Sequence, residues 1–360
     1  MEEEKNIPQE ILEEILVKLP VKSLSRFKAV TREWRGTIES TYFVEKHVLY
    51  QKSLGGSQAS IMALSMQKTD DGVHGLLLVE NILCSAKGII HGSPYLPIKA
   101  FRSYTNYKIS EPCDGMFCLY TKNTLASTNM VIIVNPASTS LRTLPNPIGI
   151  GRENSVSRRY KLVWFYEVPQ VNIVTKCKVF ALGSNTWKVV HPPHCRLHYY
   201  NSSLMHLDGI MYCLIKTHDE ICNAKVLAFD LHTEKFQTFS ITLDVGEGCE
   251  LSMCVLNHRL CVFKRFADNN DTCFKIWGLD ISKTSVEIMY SIDFSCLPPD
   301  EIEWEIVPMA TINNCVVISS SHLIHSALVR LYGSKSNILY PTASHRQFIP
   351  YFESLVSPYQ

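Results

Sequence analysis

The side chains best suited to chemistry are the histidines, cysteines and carboxylates, and their spacing speaks against catalysis. His191, His194, Cys195 and His198 fall within one short stretch, and imidazole with thiolate is a ligand set that zinc accepts. Pro192-Pro193 marks that stretch as a loop, no second cysteine cluster answers it, and no Cys-x-x-Cys pair occurs. His322 and His325 form an isolated His-x-x-His among serines, so no metal and no cofactor is expected. Gly149 and Gly151 stand alone and do not make a phosphate-cradling loop. There is no Gly-x-Ser-x-Gly nucleophile elbow, and no carboxylate spacing that marks a glycosidase pair. Trp164, Trp187, Trp277 and Trp304 read as core or turn-packing residues rather than a ligand cage. No catalytic residue is assigned, and the chain is expected to act by binding.

What the chain can bind is bounded by its composition. The 360 residues are 46% hydrophobic, enough for one large packed domain and a small one. With 35 basic and 34 acidic residues the formal charge is +1, which gives no footprint for nucleic acid. Arg152 and Arg158-Arg159 read as solvated surface charge. The opening Met-Glu-Glu-Glu-Lys lacks the basic-then-apolar order of a secretory signal, and no run approaches the ~20 apolar residues of a membrane span. The 13 cysteines are therefore expected to be reduced thiols, and the protein to reside in the cytoplasm or nucleus.

The first fifty residues carry helical spacing. Over residues 8–19, Ile11, Ile15 and Leu19 recur every four positions, and Leu12 and Leu16 widen the stripe. Pro8 fits a first turn, Asn6 is a candidate cap with Gln9 three positions on, and Pro20 ends the helix. A second helix is expected over Ser23 to Val30, with Leu24, Phe27 and Val30 as its apolar members. A third runs from Thr31, its cap, to Glu39, with Trp34 and Ile38 on one side. Three helices of this size cannot enclose a core, so apolar groups among them must pack on the rest of the chain or on another protein.

These residues resemble the F-box. The stretch Ile7-Pro8-Gln9-Glu10-Ile11-Leu12-Glu13-Glu14-Ile15-Leu16 resembles its opening. Leu19-Pro20-Val21-Lys22-Ser23-Leu24, Arg26-Phe27, Val30 and Trp34 are similar to its hallmark positions, completed by Tyr42-Phe43 and His47. Ile7 stands where Leu is common, and Thr31-Arg32-Glu33 departs from the usual residues before the Trp; neither change removes an apolar contact. The resemblance implies binding to a Skp-family adaptor and, through it, a cullin-RING ubiquitin ligase. The implied contact set is Pro8, Ile11, Leu12, Ile15, Leu16, Leu19, Pro20, Val21, Leu24, Phe27, Val30 and Trp34, with Leu12, Leu16 and Leu24 as candidate anchors. Which of these face the partner and which hold the helices together is left open by the sequence.

Beyond a linker at residues 49–58, helical spacing gives way to short runs of Val, Ile, Tyr and Phe separated by polar turns. Asp114-Gly115 and Asp208-Gly209 are hairpin signals, with weaker counterparts at Asn257-His258 and Asn313-Asn314. A second signature, an apolar strand, a polar turn and a large apolar residue, closes at Leu141, Trp187, Phe236 and Val286, and more faintly at Ile338. A repeat of roughly 50 residues with four strands per unit points to a β-propeller. Five units span Ile109 to about Leu339, and strands near Ile61–Met66 and Leu76–Leu83 supply a sixth, closed by the C-terminal segment. The competing architecture is a β-sandwich with coincidental spacing.

This region also resembles the F-box-associated domain of plant F-box proteins. The matching pieces are Cys113-Asp114-Gly115-Met116-Phe117-Cys118, Asn135-Pro136 with Leu144-Pro145, Tyr160-Lys161-Leu162-Val163, Leu182-Gly183-Ser184-Asn185-Thr186-Trp187, and Phe229-Asp230 with Glu234-Lys235-Phe236. The repeats lack the double glycine of kelch units, so the domain is kelch-like at most.

The expected organisation is a small three-helix all-α F-box over 1–48, a linker over 49–58, an all-β propeller of about six blades over 59–350, and a tail over 351–360. The resemblance implies a substrate-recognition subunit of an SCF-type ubiquitin ligase, with an unknown protein substrate. The alternatives are an F-box scaffold without ubiquitylation and a propeller hydrolase or glycan-binding module. Within a propeller, the first-to-second and third-to-fourth turns share one face, and the other connections share the opposite face. The latter are the longer ones here, and long loops on a rigid frame carry binding surface. Arg196, Tyr199, Tyr200 and Phe266 lie on or beside them as candidate substrate contacts.

Overall fold

The computed structural model describes residues 7–54, 58–68, 75–85, 88–94, 98–100, 107–121, 130–145, 149–154, 158–168, 174–184, 186–193, 195–197, 204–216, 223–243, 250–265, 273–293, 305–312, 315–321, 326–332, 335–342 and 347–359. Four helices open the chain: α1 (Gln9–Leu16), α2 (Val21–Phe27), α3 (Arg32–Glu39) and α4 (Thr41–Ser53). The Thr31 hydroxyl accepts from the Trp34 amide at 3.0 Å, as its cap position predicts. Ser40 does the same for α4, accepting from the Phe43 amide at 3.1 Å. The helical module thus has a fourth helix, and residues expected to form a linker complete it. That helix shows no single apolar stripe because it serves two cores. Phe43 packs with Leu12, Leu16, Val17, Leu24 and Ile38 inside the module, while Val44 and Val48 pack on the β-domain.

The β-domain is six antiparallel sheets. The first joins β1 (Gln58–Lys68), β2 (Gly75–Ser85), β3 (Gly88–Pro94) and β4 (Ile98–Ala100) with the last strand of the chain, β26 (Gln347–Pro350). The second holds β5 (Tyr107–Ile109), β6 (Phe117–Thr121), β7 (Met130–Asn135) and β8 (Ser140–Pro145). The third holds β9 (Gly149–Arg152), β10 (Tyr160–Val168), β11 (Val174–Ala181) and β12 (Trp187–Val190). The fourth holds β13 (Arg196–Leu197), β14 (Met205–Leu207), β15 (Ile210–Lys216), β16 (Asn223–Asp230) and β17 (Phe236–Thr242). The fifth holds β18 (Glu250–Leu256), β19 (Arg259–Arg265), β20 (Cys273–Asp280) and β21 (Ser285–Asp293). The sixth holds β22 (Glu305–Ile312), β23 (Cys315–Ser321), β24 (Ser326–Tyr332) and β25 (Lys335–Thr342).

Each sheet shares a core with the next, and the last shares one with the first. Met62, Leu64 and Ile349 meet Phe117 and Val134; Cys118 and Ile133 meet Ile150 and Leu162; Val163 and Phe165 meet Met211 and Phe229. Tyr212 and Leu214 meet Val262 and Trp277, Phe263 and Phe274 meet Ile306 and Ile318, and Met309 and Val317 meet Ile61 and Phe348. This is a closed propeller of six blades. It explains why the inner strands of the blades read as continuous apolar runs rather than alternating ones, while the outer strands β12 and β17 are mostly exposed. In β1, Ile61 and Ala63 face blade 6 while Met62 and Leu64 face blade 2, so both sides of the pleat are buried.

The recurrent turns have one physical basis. Asn135, Asp230 and Asp280 each end the third strand of a blade. Their side-chain oxygens accept turn amides, from Ala137 at 3.1 Å, His232 at 2.8 Å and Ser282 at 3.1 Å. Four residues on, Thr139, Glu234 and Thr284 all take positive φ, which re-aims the chain into the fourth strand.

Ring closure rests on β26, which pairs with β1 from Ile61↔Pro350 to Leu64↔Gln347. A chain ending at residue 346 loses this strand and the burial of Phe348 and Ile349, about 5 kcal/mol of apolar contact. Its melting temperature is expected to fall by about 10 °C or more. Unchanged melting would contradict a ring closed by its own ends.

Candidate functional site: the docking face and its junction with the propeller

The stripe on α1 divides in two. Leu12 and Leu16 turn inward, where they meet Leu24, Ile38 and Phe43, with Leu19, Phe27 and Trp34 packed around them. Val21 is fully buried as well. Leu12, Leu16 and Leu24 are thus core residues of the helical module rather than anchors for a partner. Ile11 and Ile15 point outward from the helix, 53% and 50% exposed, and Ile7, just before it, is exposed as well. Pro8, Pro20 and Val30 are also exposed. Lys46 of α4 bridges to Glu14 at 2.8 Å and lies over the Tyr42 ring at 5.9 Å. That contact brings exposed Tyr42 beside the α1 stripe. Tyr42, already among the F-box-like positions, and Leu49 join the exposed apolar set; neither stood in the expected contact set, because the helix that carries them was not expected.

The opposite side of α4 is charged where it meets the propeller. Asp114 and Gly115 form a two-residue turn with φ of 48° and 79°, closed by the Cys113 amide to the Met116 carbonyl at 2.8 Å and its reciprocal at 3.0 Å. The Asp114 carboxylate is buried. It pairs with Lys52 of α4 at 2.7 Å and Arg152 of β9 at 3.3 Å, and accepts from the Tyr160 hydroxyl at 2.9 Å. Burial by itself would raise its pKa, but Lys52, Arg152 and Tyr160 outweigh that and hold the carboxyl below the ordinary carboxylate range. Arg152 also donates to Glu45 of α4 at 2.9 Å, and Arg158 reaches the second Glu45 oxygen at 2.5 Å. The arginines expected to be solvated surface thus hold the junction, because the helix packed above them supplies the acid. Arg159 turns to Glu153 at 3.7 Å instead.

Residues expected to form a free tail are the third component. After β26, the Tyr351 amide donates to the Ser60 carbonyl at 2.9 Å, and the chain then runs between blade 2 and the helices. The Ser354 hydroxyl donates to the Asp114 carbonyl at 2.6 Å. The Asn135 amide nitrogen donates to the carbonyls of Ser354 at 3.0 Å and Val356 at 2.7 Å. Glu353 accepts from the first amide of α2, that of Val21, at 3.0 Å, where the helix dipole favours an anion and Pro20 offers no side-chain cap. Leu355 packs on the core of the helical module and also on the blade 2–3 core. A Cβ on Gly115 would stand 2.7 Å from the Ser354 hydroxyl and 2.8 Å from the Phe352 carbonyl, so glycine is required there for close approach as well as for φ.

The helices therefore sit on the face of first-to-second and third-to-fourth turns. The strands β6 and β10 lead away from them toward the opposite face. Tyr199, Tyr200 and Phe266 lie outside the described residues, as do His194, His198 and Trp304. Arg196 is placed in β13 opposite Lys216, and its side chain is likewise outside them. Among the described residues no three potential ligands come together to hold a metal. Gly149 and Gly151 lie in β9 against Leu204 and Met211, a close strand approach and not a phosphate loop. Trp187 packs on Phe180, Trp277 is buried, and Trp164 stacks on Tyr166. The described cysteines are free thiols, and burial pushes Cys118 and Cys177 up to about 12. No helix among the described residues is long and apolar enough to cross a membrane.

His47 is buried between the two cores, with Nε2 3.2 Å from the Leu19 carbonyl. Desolvation lowers its pKa below 6.5, against smaller opposing effects of the Leu19 carbonyl and Glu353. A depressed histidine contributes stability that is present above about pH 6.5 and lost as pH falls through its folded value, because the unfolded chain takes the proton first. Thermal stability of the helical module is thus expected to decline from pH 7 to pH 5, and His47→Gln to flatten that slope. An identical slope in the variant would remove His47 as the cause.

Comparison with known proteins agrees with this architecture. Residues 5–46 match the family profile described as the F-box domain, and residues 84–327 match that of the F-box associated beta propeller domain. The chain is similar to an F-box/kelch-repeat protein of Arabidopsis thaliana, 28% identical over 98% of this chain and 90% of that protein. Two further Arabidopsis thaliana proteins named as F-box proteins are each 28% identical. One match covers 81% of this chain and 70% of the relative, the other 77% and 88%.

Proposed function

The chain belongs to the F-box proteins that carry an F-box-associated β-propeller, and from that membership we propose that it is the substrate-recognition subunit of an SCF-type ubiquitin ligase. In this reading the helical module binds a Skp-family adaptor, which links it to a cullin-RING ligase in the cytoplasm or nucleus. The propeller holds a protein substrate for ubiquitylation. The observation that carries the reading is the exposed apolar stripe of Ile7, Ile11 and Ile15 on a module whose core is already complete without it. A helix that leaves such a stripe outside its own core offers the apolar face that helix-in-groove recognition uses.

The placement of the helices supports a substrate site on the far face. They occupy the turn face at blades 2 and 3, where Asp114, Arg152 and Arg158 meet α4. A substrate on the opposite face would not compete with the adaptor for the same surface. Arg196, Tyr199, Tyr200 and Phe266 remain the side chains to test there. The near-zero net charge speaks for a protein partner rather than a nucleic acid.

The division of the α1 stripe sets the test. Ile11→Lys with Ile15→Lys places charge on the exposed side, and is expected to weaken capture of a Skp-family adaptor by about 100-fold or more while melting stays within about 2 °C. Leu12→Lys with Leu16→Lys is expected to unfold the helical module instead. Undiminished adaptor capture by the Ile11/Ile15 variant would overturn the docking assignment.

A further inference from the structure

Residues 351–359 join components that the sequence keeps far apart. They follow the strand that closes the ring, yet they contact the helical module at α2 through Glu353 and at its core through Leu355. Toward the propeller they contact Asp114 and Asn135 through Ser354 and Val356. Arg142 donates to the Pro358 carbonyl at 3.2 Å and stands 5.4 Å from the Tyr359 ring, and the Tyr359 hydroxyl donates to the Leu141 carbonyl at 3.0 Å.

The residue at the end of the third strand shows that this contact is built in. In blades 4 and 5 that position is Asp230 and Asp280, partly exposed, each accepting turn amides. In blade 2 it is Asn135, fully buried, which keeps the same acceptor role toward the Ala137 amide and adds donors for two carbonyls of the C-terminal segment. A carboxylate would serve the turn equally well but would set an anion against two carbonyl oxygens. Only the amide does both.

We propose that residues 351–359, held by Asn135, are a positioning element that fixes the F-box relative to the propeller, and so sets the direction from the adaptor-docking face to the substrate face. This deepens the reading of the chain as a ligase receptor and rests on it for its purpose, but not for its test. In sequence, α4 and β1 are joined by residues 54–57, while the C-terminal segment reaches the helices from the far end of the chain. The C-terminal segment, with the Lys52–Asp114 and Arg152–Glu45 pairs, holds α2 and α4 against the propeller independently of that connection.

The test uses the full chain with Asn135→Asp, which keeps the turn acceptor and removes only the two donors. Three quantities are measured: the rate of limited proteolysis between residues 53 and 58, without adaptor, propeller melting, and adaptor capture. At pH 7.5 the variant is expected to be cut at least about 10-fold faster than wild type, with propeller melting and adaptor capture retained. Asn135→Ala, which removes the turn acceptor together with the donors, is expected to be cut at least as fast as the Asp variant. Equal cleavage of wild type and Asn135→Asp at pH 7.5 would overturn the positioning role. Loss of adaptor capture by wild type would instead sink the receptor reading and leave the cleavage result standing.

Discussion

A carboxylate withdrawn from water must be met by cations and donors, and the meeting at Asp114 organises the whole chain. Its partners come from three places: Lys52 from α4, Arg152 and Tyr160 from blade 3, and, through its carbonyl, Ser354 from the C-terminal segment. Removing the cations around this buried carboxylate would leave it without compensation, and loss of the more buried Arg152 matters more than loss of the partly exposed Lys52. The turn that presents Asp114 needs left-handed backbone at two successive residues, and the second must be glycine to let the C-terminal segment pass. One short turn thus fixes the contact between the two functional modules.

Blade 4 carries the same turn without that burden. Asp208 and Gly209 have φ of 49° and 83°, close to their counterparts in blade 2, but Asp208 is exposed. Asn135 differs from Asp230 and Asp280 in the same way. Repetition supplied the frame, and blade 2 was specialised within it to receive the helices and the chain terminus. The buried Lys161, held between Glu153 at 2.8 Å and Glu234 at 2.8 Å, makes a comparable link from blade 3 to blade 4. Polar joints of this kind confer orientation that apolar packing between blades does not.

These relations set the limit of what the sequence discloses. Turn chemistry is local, so Asp114-Gly115, Asn135 and Asp280 announced the repeat and its phase, and the apolar runs announced the strands. The sixth blade was legible because β1 and β2 keep the same pattern. The fourth helix was not, since Phe43 and Val44 answer to different cores and blur any single stripe. The role of Arg152 was hidden because its partner Glu45 lies more than a hundred positions away. The C-terminal segment has no periodicity at all: its backbone carbonyls are captured by the Asn135 side chain, and such contacts leave no pattern in the captured residues. The docking stripe was half legible. The spacing of Ile11, Leu12, Ile15 and Leu16 gave an apolar helix, but only the packing of α1 on Phe43 and Ile38 separates outward from inward members.

The helical module and the propeller form one body, joined through the Asp114 cluster. Hydrogen exchange of the full chain measures this most directly, because opening of the junction would release the helices before the blades. The amides of Val44 to Val48 in α4 are predicted to exchange with protection within about 10-fold of those in β6 and β7 of blade 2. Exchange of α4 several orders of magnitude faster than that of β6, with the blade still protected, would show two independent bodies and contradict the account.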